Sequence, residues 1–226
     1  MDDILILSEN FEEHARLVWQ VMNTLNKYGI KIKVKKCKFF RSEVDYLGHI
    51  IGKEGIKKSP EYIDKILKYE KPTTTTELRR FLGMVNFSRK FVHRFSCIAK
   101  PLTEITGKPK RAKIDWTGER IKAFEELKKA IAEDVILSYP DYSENASKLE
   151  MSVDASGIGV GCILQQIQNG ETKVIAYASM AFSQTQKQYS VIERELCAIR
   201  WGCHTMKYFI SGVPFILSLL SAMTVF

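Results

Sequence analysis

Paired cysteines are missing from this sequence, and histidine is scarce. Its 226 residues hold five cysteines and four histidines. Cys37, Cys97, Cys162, Cys197 and Cys203 are odd in number, scattered, and form no Cys-x-x-Cys pair. The histidines sit at no zinc-ligand spacing. A disulfide framework and a structural zinc site are thereby excluded, and the thiols read as reduced, mostly buried groups of an intracellular protein. A secretory leader is not expected, because the sequence opens on acids where such a signal carries Lys or Arg. Long apolar runs are few. Phe209 to Phe226 is uncharged over 18 positions, but Gly212, Pro214 and three serines interrupt it. It reads as a buried strand and an odd tail rather than a membrane segment.

What is present is a folded chain with lopsided charge. Hydrophobic residues make up 45% and the net charge is +8, enough apolar content for real cores in one large or two small domains. Residues 1–110 hold 22 Lys+Arg against 13 Asp+Glu, whereas residues 111–226 hold 12 against 13. A basic half joined to a near-neutral half points to a polyanion-binding surface in the first half, with a solvated lysine-rich surface as the bland alternative.

Periodicity orders the elements. Ile4–Leu7 reads as a short strand, and Phe11 to Tyr28 as a helix ending at Gly29. Ile30–Phe40 alternates apolar residues with lysines 31, 33 and 35, the pattern of a half-buried strand. Val44–Ile51, with Gly48 and Gly52, reads as a further strand entering a turn, and Gly55-Ile56 continues it. Ser59-Pro60 starts a helix, and Thr75 or Thr76 caps another over Glu77 to Arg94. Helices are also expected near Cys97–Thr106 and over Glu119–Glu133, the latter capped by Thr117. Then follow strands Leu149–Asp154, Val160–Gln166 and Lys173–Ser179, with a turn at Asn169-Gly170. A long helix over Gln186–Phe209 completes a mixed sheet with a helix on one face.

The opening pair Asp2-Asp3 before an apolar strand serves either a turn or a metal site, since adjacent acids repel and weaken strand propensity. Mid-helix Gly83 costs about 1 kcal/mol relative to Ala and therefore asks for a reason: close approach of a duplex groove, or helix–helix packing. Asp154 ends a strand before a glycine-rich turn, and Glu195 lies on the long helix. Each is plain turn or surface chemistry unless the fold brings them together.

The order of these pieces resembles the reverse transcriptase and RNase H portion of gypsy-type LTR retrotransposon Pol polyproteins. The resemblance is carried by Met1-Asp2-Asp3-Ile4-Leu5, Lys36-Cys37-Lys38-Phe39 and Tyr46-Leu47-Gly48-His49. It continues in Leu78-Arg79-Arg80-Phe81-Leu82-Gly83-Met84-Val85-Asn86-Phe87 with Arg89-Lys90-Phe91, in Val153-Asp154-Ala155-Ser156-Gly157, and in Tyr189-Ser190 with Glu193 to Ile199. It implies an α+β fold: a palm remnant (1–56), a helical thumb-like region (57–112), a connecting helix and loop (113–148), an incomplete RNase H-like mixed sheet (149–218) and a non-matching tail (219–226).

The resemblance also implies roles. Asp2 and Asp3 match two polymerase metal acids, and Asp154 and Glu195 match two RNase H metal acids, with Mg2+ as cofactor. Leu47 and Gly48 match a primer-holding hairpin. Arg79, Arg80, Gly83, Asn86, Phe87, Arg89 and Lys90 match a thumb surface on a template–primer duplex or RNA–DNA hybrid. A third polymerase acid belongs upstream, in a segment the parent polyprotein supplies. Where a Thr-Asp-His run is expected after Ser218, the sequence reads Leu219-Leu220-Ser221. Both acid clusters are thus incomplete, and the expectation is a polymerase and ribonuclease by descent that is inactive alone. The alternatives are a residual nucleic-acid-binding module and a functionless pseudogene product.

Overall fold

The structure is a computed structural model that describes residues 3–219, so Met1, Asp2 and the tail 220–226 lie outside the described residues. The chain divides into two units, Met1–Lys53 and Glu54–Phe226.

In the first unit, helix α1 (Phe11–Lys27) starts at Asn10, whose side chain accepts from the Glu13 amide at 2.9 Å. Strands β1 (Glu43–Tyr46) and β2 (His49–Gly52) pair antiparallel, with Tyr46 opposite His49. The two residues between them, Leu47 and Gly48, both have positive φ (50° and 76°). Two consecutive left-handed residues make the tight hairpin turn whose twist suits the flanking strands, and Gly48 adopts its share without strain. Two expected strands are absent. Residues 3–8 form no ladder, and 30–40 form none either, with a 3-10 turn at Val34–Lys36 instead. Alternation alone cannot make a strand where no neighbouring backbone accepts the ladder. No described side chain between 3 and 53 is fully buried.

The second unit has two cores. Strand β3 (Gly55–Lys58) bridges the loop after the helices, with Ile56 and Leu137 exchanging hydrogen bonds of 2.8 and 3.0 Å. Helices α2 (Pro60–Leu67), α3 (Thr75–Phe87), α4 (Phe95–Thr103) and α5 (Gly118–Ala132) surround the first core. Phe81 of α3 and Phe124 of α5 meet there at 4.7 Å between ring centroids, among Leu78, Leu102, Leu127 and Ile131. Thr74, one residue before the expected cap, closes a capping box with Glu77. The helix expected to reach Arg94 stops at Phe87. A 3-10 turn, Arg89–Phe91, follows, because Phe91 and Val92 are drawn into the interior and cannot stay on a straight helix.

The second core lies under a four-stranded sheet ordered β6-β5-β4-β7: β4 (Leu149–Ala155), β5 (Gly159–Gln168), β6 (Glu171–Ala181) and β7 (Phe215–Leu219). β4 and β7 run parallel and the other pairs antiparallel. The long helix expected over Gln186–Phe209 is three pieces, α6 (Gln184–Lys187), α7 (Val191–Thr205) and α8 (Lys207–Ile210). Ser190 interrupts it by forming a fresh capping box with Glu193. α7 packs on the sheet at Gly202, where an added Cβ would sit 2.9 Å from Val153 Cγ1. Buried Cys162 lies beside this contact, and desolvation pushes its thiol up to about 12.

Candidate nucleic-acid interface and acid sites

α3 and α4 enclose a groove of about 390 Å³ lined by Arg79, Leu82, Gly83, Asn86, Phe95 and Ala99, with Thr103 and Thr106 at one end. Leu78, Phe81 and Val85 turn to the core, which leaves positions 79, 83 and 86 on the opposite stripe at helical spacing. A Cβ built on Gly83 meets nothing within 4 Å. Helix–helix packing therefore does not explain this glycine, and the floor of the groove is open.

The cations of this region are unequally placed. Arg79 lines the groove but is fastened, donating through Nε and Nη2 to the Thr106 carbonyl and at 2.7 Å to that of Lys108. Arg80 is exposed. Arg89 donates to the Ser179 carbonyl at 2.5 Å, on the sheet. Lys90 is half-buried over the Phe91 ring at 5.4 Å, and desolvation lowers its pKa. Asn86 is exposed in the groove, and Phe87 packs against Tyr62 at 5.7 Å on the other side of α3.

In the first unit, Leu47 and Gly48 form the tip of the β1–β2 hairpin, with Leu47 exposed. Asp3 is exposed, and its carbonyl lies 3.5 Å from the Tyr46 hydroxyl that donates to it. Asp2 lies outside the described residues.

The sheet separates the other two acids. Asp154, Gly161 and Ser179 are register partners across β4, β5 and β6 and so share one face. That face receives the segment between α3 and α4: Arg94 Nη1 lies 3.7 Å from Asp154 Oδ2, and Arg89 reaches Ser179. The neighbouring row, Val153–Cys162–Ala178, faces the other way, where Val153 meets α7. Glu195 rides on α7 in line with buried Ala198 and Gly202, half-buried over that opposite face. Asp154 and Glu195 therefore approach the sheet from different sides. Among the described residues, no group of three or more His, Cys, Asp and Glu could hold a metal ion. A divalent pair needs several converging carboxylates, and a carboxylate already facing a guanidinium does not fit that role.

Three features escaped sequence reasoning. Buried Gln166 fastens the loop before β4, donating at 2.7 Å to the carbonyls of Asp141 and Ser147 and accepting from the Asp141 amide at 2.8 Å. Buried Lys58 donates to the Glu133 carbonyl at 2.7 Å, and its pKa is lowered by desolvation. Arg94 has no sequence cue toward Asp154, which is distant in the chain.

The reverse transcriptase (RNA-dependent DNA polymerase) family model matches residues 1–51, and the model for the RNase H-like domain found in reverse transcriptase matches 116–217. The chain is 36% identical to the Pol polyprotein from transposon 297 of Drosophila melanogaster, over 96% of this chain and 20% of that protein. It is 32% identical to that of transposon gypsy, over 94% and 21%, and 35% identical to the Tf2-3 polyprotein of Schizosaccharomyces pombe, over 88% and 15%. The fold matches a foamy viral protease-reverse transcriptase in complex with an RNA/DNA hybrid at 30% identity and a TM-score of 0.79, covering 94% of this chain and 28% of that one. A complex of that enzyme with dsDNA gives 29% and 0.78, over 96% and 44%. Fold and matches together define a reverse transcriptase and RNase H-like segment with an α+β architecture. It aligns over most of its length with retrovirus-related Pol polyproteins and spans about a fifth of the length of those from transposons 297 and gypsy. No helix among the described residues is long and apolar enough to cross a membrane.

Proposed function

We propose that this segment grips a nucleic-acid duplex, a template–primer or RNA–DNA hybrid, through the α3–α4 groove. One observation carries the reading: Gly83 leaves the groove floor open, with no packing reason of its own, between Asn86 and the fastened guanidinium of Arg79. A backbone without a side chain admits a sugar–phosphate edge closely, and a fixed arginine offers its charge without an ordering cost. The basic balance of residues 1–110 supplies the sequence-independent attraction. Arg80 extends the surface, and in the first unit the Leu47–Gly48 tip is assigned the primer end.

The parent activities are RNA-directed DNA synthesis and hybrid cleavage, and Mg2+ is the cofactor that this family relationship implies. Asp2 and Asp3 are assigned to the first and Asp154 and Glu195 to the second by descent. Duplex binding is the activity that the groove supports for this chain.

The test is fluorescence anisotropy with a labelled RNA–DNA hybrid and a labelled DNA duplex across a salt series. Gly83→Leu, which fills the groove, is expected to weaken binding about tenfold, equivalent to about 1.4 kcal/mol. Affinity should fall steeply with salt. Unchanged affinity in Gly83→Leu, with its helical signal intact, would overturn the reading.

A further inference from the structure

Arg94 breaks two local rules at once. It sits in the left-handed region (φ 52°, ψ 29°), where a long side chain is disfavoured, and it holds the N-cap position of α4 while providing no side-chain capping hydrogen bond. Asn or Asp would satisfy both requirements. A residue that violates local preference is held by something outside its own element.

What holds Arg94 is on the sheet. Its guanidinium lies 3.7 Å from the Asp154 carboxylate. The register partner of Asp154 is Gly161, and a Cβ there would approach the Arg94 Cγ to 3.2 Å. The missing side chain at 161 is thus the channel along which the Arg94 stem runs. His93 stands beside the same glycine and against the Tyr177 ring, at 5.8 Å. Asp154, Gly161 and Arg94 form a fitted set rather than a chance surface pair.

We propose that Arg94 is the resident counter-ion of Asp154, latching the α3–α4 region to the RNase H-like sheet and withholding this carboxylate from divalent metal. Asp154 then acts as a docking residue, with the guanidinium standing where a cation would neutralise it. The latch does not depend on the groove reading, because it concerns metal and stability in the absence of nucleic acid.

The experiment uses the full chain, Mn2+ as the probe, and paramagnetic broadening of the amide signals around Asp154. In the wild type those signals should persist at an Mn2+ concentration that erases them in Arg94→Asn, a variant suited to the left-handed backbone. Asp154→Asn on top of Arg94→Asn should restore them. Gly161→Val, whose branched side chain fills the channel without altering charge, should behave as Arg94→Asn does. A double-mutant cycle between Arg94 and Asp154 in urea should show coupling of about two- to fivefold in the unfolding constant, the range for partly exposed pairs. Equal broadening in wild type and Arg94→Asn, or no coupling, would overturn the proposal.

Discussion

The Ser96 amide donates to the Ser179 hydroxyl at 2.8 Å, and the Ser96 hydroxyl also donates to the Ser179 carbonyl at 2.9 Å. This pair of bonds fixes the first turn of α4 to buried Ser179 near the C-terminal end of β6, so a helix-terminus amide that would otherwise need water finds a partner on the sheet.

Ser179→Ala removes the acceptor and leaves the Ser96 amide in a site that excludes water. Loss of such a partner costs about 1–3 kcal/mol, so the urea midpoint should fall while the slope of the transition stays unchanged. Chemical denaturation followed by circular dichroism checks this.

Gly83 and Gly202 predict opposite outcomes for one substitution. Gly83→Ala meets open space and should stabilise the chain by about 1 kcal/mol through helix propensity. Gly202→Ala drives a methyl against Val153 at 2.9 Å and should destabilise by about 1–3 kcal/mol as α7 is forced off the sheet. Parallel thermal melts separate them.

Thr74→Ala breaks the capping box with Glu77 and should cost about 1 kcal/mol. Glu77 lies below its ordinary carboxylate range because the Thr73 amide and hydroxyl, then Thr74, donate to it. Its contribution is therefore present above pH 4.5 and lost as pH falls through the lowered folded value. Melts in acid should converge for wild type and Glu77→Gln, whereas near neutral pH they should differ.

His93 is pushed below its ordinary value of 6.5, first by desolvation and then by the Arg94 charge, with Asp154 opposing. The unfolded chain takes up a proton before the folded one, so this group erodes stability as pH drops from 6.5 toward the lowered value. His93→Gln should flatten that slope. In Arg94→Asn the His93 ring signals should titrate at higher pH than in wild type, measured by proton NMR.

Local chemistry was legible in the sequence. Ser59-Pro60 started α2 and Asn169-Gly170 turned β5 into β6 with both residues at positive φ, whereas Thr117 holds the N-cap position of α5 without the expected side-chain bond. Each is decided by a few adjacent residues. The failures lie where distant chain decides. The alternation of Ile30, Ile32 and Val34 promised a strand, but a ladder requires a partner that the alternation does not encode. The helix through Arg94 broke because Phe91 is buried and Val92 joined a core assembled from other helices. At the candidate site, motif spacing found Gly83 and Asn86, which one helix face brings into one groove. The partner of Asp154 had no local cue, and motif order alone could not reveal that β4 turns Asp154 away from the face α7 covers.

The first unit, whose described side chains include none that is fully buried, has little apolar burial to make its unfolding cooperative. Helix α1 has its Asn10 cap, yet a 17-residue helix is near the length at which an isolated helix is marginal in water. A calorimetric melt would therefore weigh almost entirely the residues beyond Lys53. Amide hydrogens before that point should exchange with solvent long before the main transition, as a second clock running within one chain.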